Sequence, residues 1–160
     1  MSARGQESGY DEDQSERINR ELIELLNDLR VAVPGVQVLF AFLLTVPFSQ
    51  GFVETTAFQR DLFFGVLVAT TISAALLIAP SAWHRLRFRQ MDKELILSAS
   101  NRMAIGGLGF LAVAMVGAVM LIADYVFSET LTVVSGIVAA FVFGGLWYAV
   151  PVGRTVKESG

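Results

Sequence analysis

Apolar and charged residues occupy separate blocks along the chain. Four stretches contain no Asp, Glu, Lys or Arg: residues 31–53, 62–83, 103–123 and 130–153. Each is as long as the roughly 20 residues that an α-helix needs to cross the hydrocarbon core of a bilayer. The pattern predicts an all-α integral membrane protein, a bundle of four transmembrane helices at about residues 31–50, 62–82, 103–127 and 131–151.

The polar segment before the first predicted span divides into two parts. Residues 1–13 lack apolar periodicity, which predicts a disordered tail. Residues 14–30 place apolar side chains on one helical face, at positions Ile18, Leu22, Leu25 and Leu29. This spacing predicts a cytoplasmic amphipathic helix that either covers the protein or the membrane surface, or binds a partner. A similar four-residue repeat predicts that the third helix begins near Asp92 and packs on residues 18–33.

Composition narrows the class of protein. Hydrophobic residues make up 54% of the chain and charged residues 17%, whereas soluble domains carry about 25% charged residues. This balance excludes a soluble globular enzyme, and the formal charge of −3 argues against a nucleic-acid partner. The chain has no cysteine, so it is not a disulfide-stapled domain. The first apolar run begins only at Val31, which predicts an uncleaved first span.

The distribution of Lys and Arg predicts the orientation. Eleven of the 12 basic residues lie before the first span, between the second and third, or after the fourth; Arg60 alone lies in the first loop. Basic residues favour the cytoplasmic side. We therefore expect both termini, including the tail at residues 153–160, to face the cytoplasm from the inner membrane.

The loop between the second and third spans carries a basic cluster next to the membrane. Trp83 is followed by Arg85, Arg87 and Arg89, and such clusters attract anionic lipid. The alternative interpretation is that these arginines only fix the topology. The single histidine, His84, is interpreted as an interfacial residue rather than a pH sensor.

Few polar residues lie within the predicted spans. Asp124 is the one carboxylate there, about three residues from the end of its helix. Together with Thr70, Thr71 and Gln37 it forms the candidate set for an ion pathway. In the alternative interpretation Asp124 bonds to Ser128 or Thr130 across the turn, and the hydroxyls bond to their own helix carbonyls.

Small residues recur every four positions in three spans, at Gly65, Ala69 and Ser73, at Ala114 and Ala118, and at Gly136, Ala140 and Gly144. Such faces let helices approach closely, and they either pack inside the bundle or join copies in a homo-oligomer. No nucleotide-binding loop, catalytic triad motif or Cys/His cluster occurs. We therefore expect no enzymatic activity, no catalytic residues, no metal site and no cofactor.

Three segments carry a resemblance to a known family. They are ELIELLNDLRVAVPGVQVLFAFLLTVPFSQGF (21–52), FQRDLFF (58–64) and LLIAPSAWHRLRFRQMDKE (76–94), with the weaker SNRMAI (100–105). The chain resembles an uncharacterised actinobacterial family of short four-span membrane proteins, a domain of unknown function whose members often carry a sodium:proton antiporter label. Broken helices and mid-membrane acids of well-understood antiporters are missing here. Our first hypothesis is a non-enzymatic bundle with a scaffolding, lipid-associating or regulatory role, and the alternative is a small oligomeric sodium or proton transporter.

Overall fold

Four α-helices make up most of the part of the chain that the structure describes. The computed structural model describes residues 3–87, 93–127 and 129–149. The helices are α1 (Ala3–Thr45), α2 (Ala57–Arg87), α3 (Lys93–Val126) and α4 (Glu129–Gly144). Two 3-10 turns, Val46–Phe48 and Gln50–Glu54, join α1 to α2, and a π-helical turn, Gly145–Ala149, follows α4. The described ranges contain no β-strand, in agreement with the predicted all-helical class.

Within the described ranges, four segments are long and apolar enough to cross a membrane. They are Ile23–Phe48, Ala57–Ala82, Leu97–Val126 and Glu129–Trp147. The first and the last extend beyond α1 and α4 into the turns that follow. The four segments overlap the four predicted spans and suggest a multi-pass membrane protein. The third helix begins at Lys93, as its apolar repeat predicted.

The N-terminal segment is continuous with the first span. α1 is one helix of 43 residues, Ala3–Thr45, so residues 3–13 and 14–30 join the first span without a break. The cytoplasmic amphipathic character of residues 14–30 stays a prediction. The reason for the continuity is that the apolar stripe stays in phase across residue 30. Leu25, Leu29, Val36 and Leu43 all pack into the core. Once a helix is nucleated, each further residue costs little.

Two prolines lie inside helices rather than at their ends. Pro34 falls within α1 and Pro80 within α2. Pro80 is less than 2% exposed, which means that neighbouring side chains cover the interrupted turn. Spanning helices tolerate proline where such contacts stabilise the freed backbone.

The helices are not equivalent in the bundle. α2 and α3 form the central pair, and α1 packs on both of them. Within the described ranges, the backbone of α4 approaches only that of α3. One core cluster, towards the end of α2 and the start of α3, holds Leu29, Val36, Leu77, Ala104 and Leu111. A second cluster, near the α1–α2 connection, holds Leu43, Phe63, Val66, Ala69 and Ala114.

Glycines on α3 let the central pair approach closely. A Cβ atom added at Gly107 would lie 2.7 Å from the Cγ of Leu77, and one at Gly117 would lie 2.6 Å from a methyl carbon of Val66. The hydroxyl of Ser73 donates a 2.7 Å hydrogen bond to the carbonyl of Gly107. This bond ties α2 to α3 inside the bundle.

The small residues singled out from the sequence are divided between the inside and the outside of the bundle. Ala69, Ser73 and Ala114 are buried, and Gly136 of α4 lies against Met120 of α3. A Cβ at Gly65 or Gly144 would meet nothing within 4 Å. Most of these positions therefore serve packing within one chain.

Candidate functional site

A polar cluster lies where the α1–α2 and α3–α4 connections meet, at what we call the loop end of the bundle. It starts from the N-terminus of α2. The amide N–H of Thr56 donates to Oε1 of Gln59 at 3.0 Å, and the amide N–H of Gln59 donates to Oγ1 of Thr56 at 3.2 Å. This reciprocal arrangement is a capping box, which satisfies two free N–H groups of the first turn. It also fixes the position of the Gln59 side chain.

Gln59 extends from this cap to α3. Its Nε2 atom donates a 2.9 Å hydrogen bond to Oδ2 of Asp124. Gln59 is only 8% exposed, and Asp124 is half-buried. The bond therefore joins the start of α2 to the end of α3 through a neutral donor and a carboxylate. Asp124 makes no salt bridge with any residue in the described part of the chain.

The described partner of Asp124 is a residue that the sequence analysis did not name. The sequence suggested Ser128 or Thr130; Ser128 lies outside the described residues, and the bond observed comes from Gln59. Sequence reasoning missed Gln59, although the run TAFQ (56–59) has the spacing of a capping box. The position of Asp124 close to the end of α3 is as predicted.

An apolar groove of about 360 Å³ lies beside this pair. Phe52 and Phe63 line it with an edge-to-face contact, their ring centroids 5.4 Å apart. Tyr125 lies on its wall, and the Tyr125 hydroxyl would be 2.8 Å from a Cβ at Gly51. A side chain at position 51 would therefore require the exposed Tyr125 ring to shift. The groove combines an apolar lining with Gln59 and Tyr125 as polar groups, the usual make-up of a small-ligand site.

The candidate ion-pathway residues do not share one environment. Thr70 is fully buried, and its hydroxyl donates to the carbonyl of Val66 at 2.8 Å. Thr71 and Gln37 are exposed on the outside of the bundle. Gln59 is level with Asp124, and Thr70 follows it by 11 positions on α2. Thr70 is therefore about 16 Å further along the bundle than Asp124.

A second groove, of about 590 Å³, lies at the opposite end, between α1 and the start of α3. Acidic side chains dominate its charged lining, with Glu21, Glu24 and Asp28 on α1. The neutral polar residues Ser98 and Asn101 line it from α3. Arg17 also lines it and forms a 2.9 Å salt bridge with Glu21. The sequence predicted that the start of α3 packs on residues 18–33. Between residues 17–28 and 97–101, the two segments line an open groove.

The structure describes only part of the predicted lipid-binding cluster. Trp83, Arg85 and Arg87 belong to the last turns of α2, but their side chains lie outside the described part of the structure, and Arg89 lies outside it altogether. Their contact with anionic lipid stays a prediction. Among the described residues, no group of three or more His, Cys, Asp or Glu side chains could hold a metal ion.

Comparison with known proteins gives one match. A family model described as Family of unknown function (DUF6328) covers residues 11–151. No curated protein and no solved structure matches the chain. The resemblance to an uncharacterised family is thereby confirmed, while its actinobacterial and antiporter associations stay predictions. Because the match includes all four apolar helices, the chain belongs to the Family of unknown function DUF6328.

Proposed function

We propose that this chain is a multi-pass protein of the cytoplasmic membrane with a non-catalytic role, as a scaffold, a lipid-associated protein or a regulator of a partner. The observation that carries the proposal is the closed centre of the bundle. Two of its buried hydroxyls bond to protein carbonyls, Thr70 to Val66 and Ser73 to Gly107. Side chains fill the contact between α2 and α3, where Ala114 and Leu77 are fully buried. Among the described residues, the buried hydroxyl of Ser100 alone has no partner, and one isolated hydroxyl does not make a polar path through the bundle.

The alternative function is a small oligomeric transporter of sodium or protons. A specific observation favours it: Asp124 is a half-buried carboxylate whose one described partner is the neutral amide of Gln59. Such an acid in a spanning helix is a default candidate for ion or proton binding. Against it stands the position of Asp124, two residues before the end of α3.

Ion flux in liposomes that contain the purified protein separates the two functions. We expect no sodium or proton flux above that of protein-free vesicles. Asp124→Asn keeps an acceptor oxygen for Gln59, so it should change stability by about 1 kcal/mol or less, the value of one net hydrogen bond. Asp61→Asn is the matched control, because Asp61 is an exposed carboxylate on α2 near the same end. Flux in the parent and in Asp61→Asn that disappears in Asp124→Asn would establish the transporter.

The proposed orientation places both termini in the cytoplasm. Since the chain has no cysteine, single cysteines can report it directly. Val53, 84% exposed in the α1–α2 connection, and Ser98, exposed near the start of α3, should lie on opposite sides. In intact cells a membrane-impermeant thiol reagent should label Val53→Cys and not Ser98→Cys. Labelling of Ser98→Cys and not of Val53→Cys would show that the topology is the opposite of the one proposed.

The proposed lipid contact rests on the closely spaced arginines at 85, 87 and 89. Replacing all three by Gln should weaken anionic-lipid retention by up to about 3 kcal/mol, at roughly 1 kcal/mol for each surface residue. The readout is the lipid that remains bound to the purified protein in native mass spectrometry. Arg60→Gln serves as the control from the opposite loop, and equal retention in the parent and both variants would assign the cluster to topology alone.

A further inference from the structure

The side-chain amide of Gln37 lies on the outward face of α1, near the middle of its apolar segment. Arg30, the last charged residue of α1, precedes Gln37 by seven positions, and α1 ends eight positions after Gln37 at Thr45. At 1.5 Å per residue the amide is roughly 10 Å from either limit. Gln37 is exposed, whereas the adjacent Val36 is 1% exposed and packs into the core. The amide therefore points to the surroundings of the bundle.

Gln37 differs from the other polar residues at similar depth. Thr71 is also exposed, but its hydroxyl donates to the carbonyl of Leu67 at 2.8 Å. Ser135 likewise bonds to the carbonyl of Thr132. Gln37 makes no hydrogen bond to any residue in the described ranges. Leaving an amide unpaired in hydrocarbon costs several kcal/mol, because no water is present to replace the partner.

We propose that this face of α1 joins two copies of the chain, with their Gln37 amides hydrogen-bonded to each other. This inference rests on the proposed membrane insertion. All copies insert with one orientation, so Gln37 lies at the same depth in each of them. A two-fold axis along the membrane normal then places Gln37 opposite Gln37. Because glutamine carries both a donor and an acceptor, the two amides complement each other.

The surroundings of Gln37 suit a close helix–helix contact. Pro34 and Ala41, one turn to either side, are exposed and short. A Cβ built at Gly35 would meet nothing within 4 Å, so the backbone is open to approach there. Val38 and Phe42 flank this strip and are 57% and 68% exposed. Polar amides within such strips are a common basis of association between spanning helices.

The test measures self-association of the full chain in lipid vesicles. Copies labelled at Val53→Cys are mixed, and energy transfer between them is followed as the protein-to-lipid ratio changes. Gln37→Leu should raise the dissociation constant about three- to thirty-fold, the range for interhelical hydrogen bonds in membranes. Gln37→Asn, which keeps an amide, should lie between the parent and Gln37→Leu. Thr71→Val is the matched control and should leave association unchanged, because its hydroxyl bonds within its own helix.

A second readout locates the contact. Ala41→Cys should form cross-links between copies, whereas Val113→Cys, 63% exposed on α3, should not. Equal dissociation constants for the parent and Gln37→Leu, a monomeric parent at every protein-to-lipid ratio, or preferential cross-linking at position 113 would each overturn the inference. Flotation with vesicles is measured first: a chain that does not float contradicts membrane insertion itself, whereas a floating monomer contradicts only the dimer.

Discussion

The contacts of α3 with α2 and with α4 are built differently. Towards α2, Gly107 lies under Leu77 and Ser73 forms an interhelical hydrogen bond. Towards α4, Gly136 lies under Met120, and the buried residues of α4 are Thr132, Gly136 and Ala139. In the most apolar stretch of α2, 33% of the residues are buried, whereas in that of α4 only 11% are buried. α2 is thus held by the bundle, and α4 leaves most of its surface to the surroundings.

This difference shows what fixes a helix in such a protein. Both helices are strongly apolar, and in lipid apolarity alone gives no preference for a protein neighbour over an acyl chain. What distinguishes the α2 contact is steric fit and a polar bond. The comparison therefore predicts that stability depends on the α2–α3 contact far more than on the α3–α4 contact.

The largest effect is expected at Gly107. Gly107→Ala puts a methyl group 2.7 Å from the fully buried Leu77, so the helices must move apart, at a cost of about 1–3 kcal/mol. Unfolding of the purified protein by SDS in mixed micelles measures this loss. Gly65→Ala is the control, because its methyl group meets nothing within 4 Å. Equal stability of the two variants would contradict the close fit of α2 on α3.

An intermediate effect is expected at Ser73. Ser73→Ala removes the bond to the Gly107 carbonyl and should cost roughly 0.6 kcal/mol, the average for interhelical bonds in a membrane protein. Thr70→Val is the matched control, since Thr70 bonds only to its own helix. The same unfolding experiment compares them, and a larger loss for Thr70→Val would show that this bond does not hold the pair together.

The smallest effect is expected at Gly136. A methyl group there meets the Cγ and Sδ atoms of Met120 at 2.7 Å, but Met120 is flexible and only half-buried. Gly136→Ala should therefore cost less than about 1 kcal/mol, below Gly107→Ala. A loss as large as that of Gly107→Ala, measured in the same micelles, would make α4 as firmly held as α2.

The sequence was sufficient for the number, class and approximate limits of the spans, because long charge-free blocks have few other uses. It did not indicate that α4 lies at the edge of the bundle. Because α4 is apolar on every side, its sequence pattern does not show which face packs on the other helices. The Gln59–Asp124 bond joins residues 65 positions apart, which no local pattern encodes. The capping box that starts at Thr56 could be recognised from the sequence. It was missed because it lies between two spans, where the prediction of spans gives little weight to polar residues.

The continuity of α1 has a mechanical consequence. A helix of 43 residues is about 65 Å long, roughly twice the thickness of a hydrocarbon core. Pro34 removes one backbone hydrogen bond from it, so bending concentrates there. Leu25 and Leu29, which precede Pro34, pack on the core, so a bend at Pro34 also loads that contact. The 22 residues before Leu25 form a lever arm of about 33 Å. A tilt of about 10° displaces the far end of this arm by roughly 6 Å.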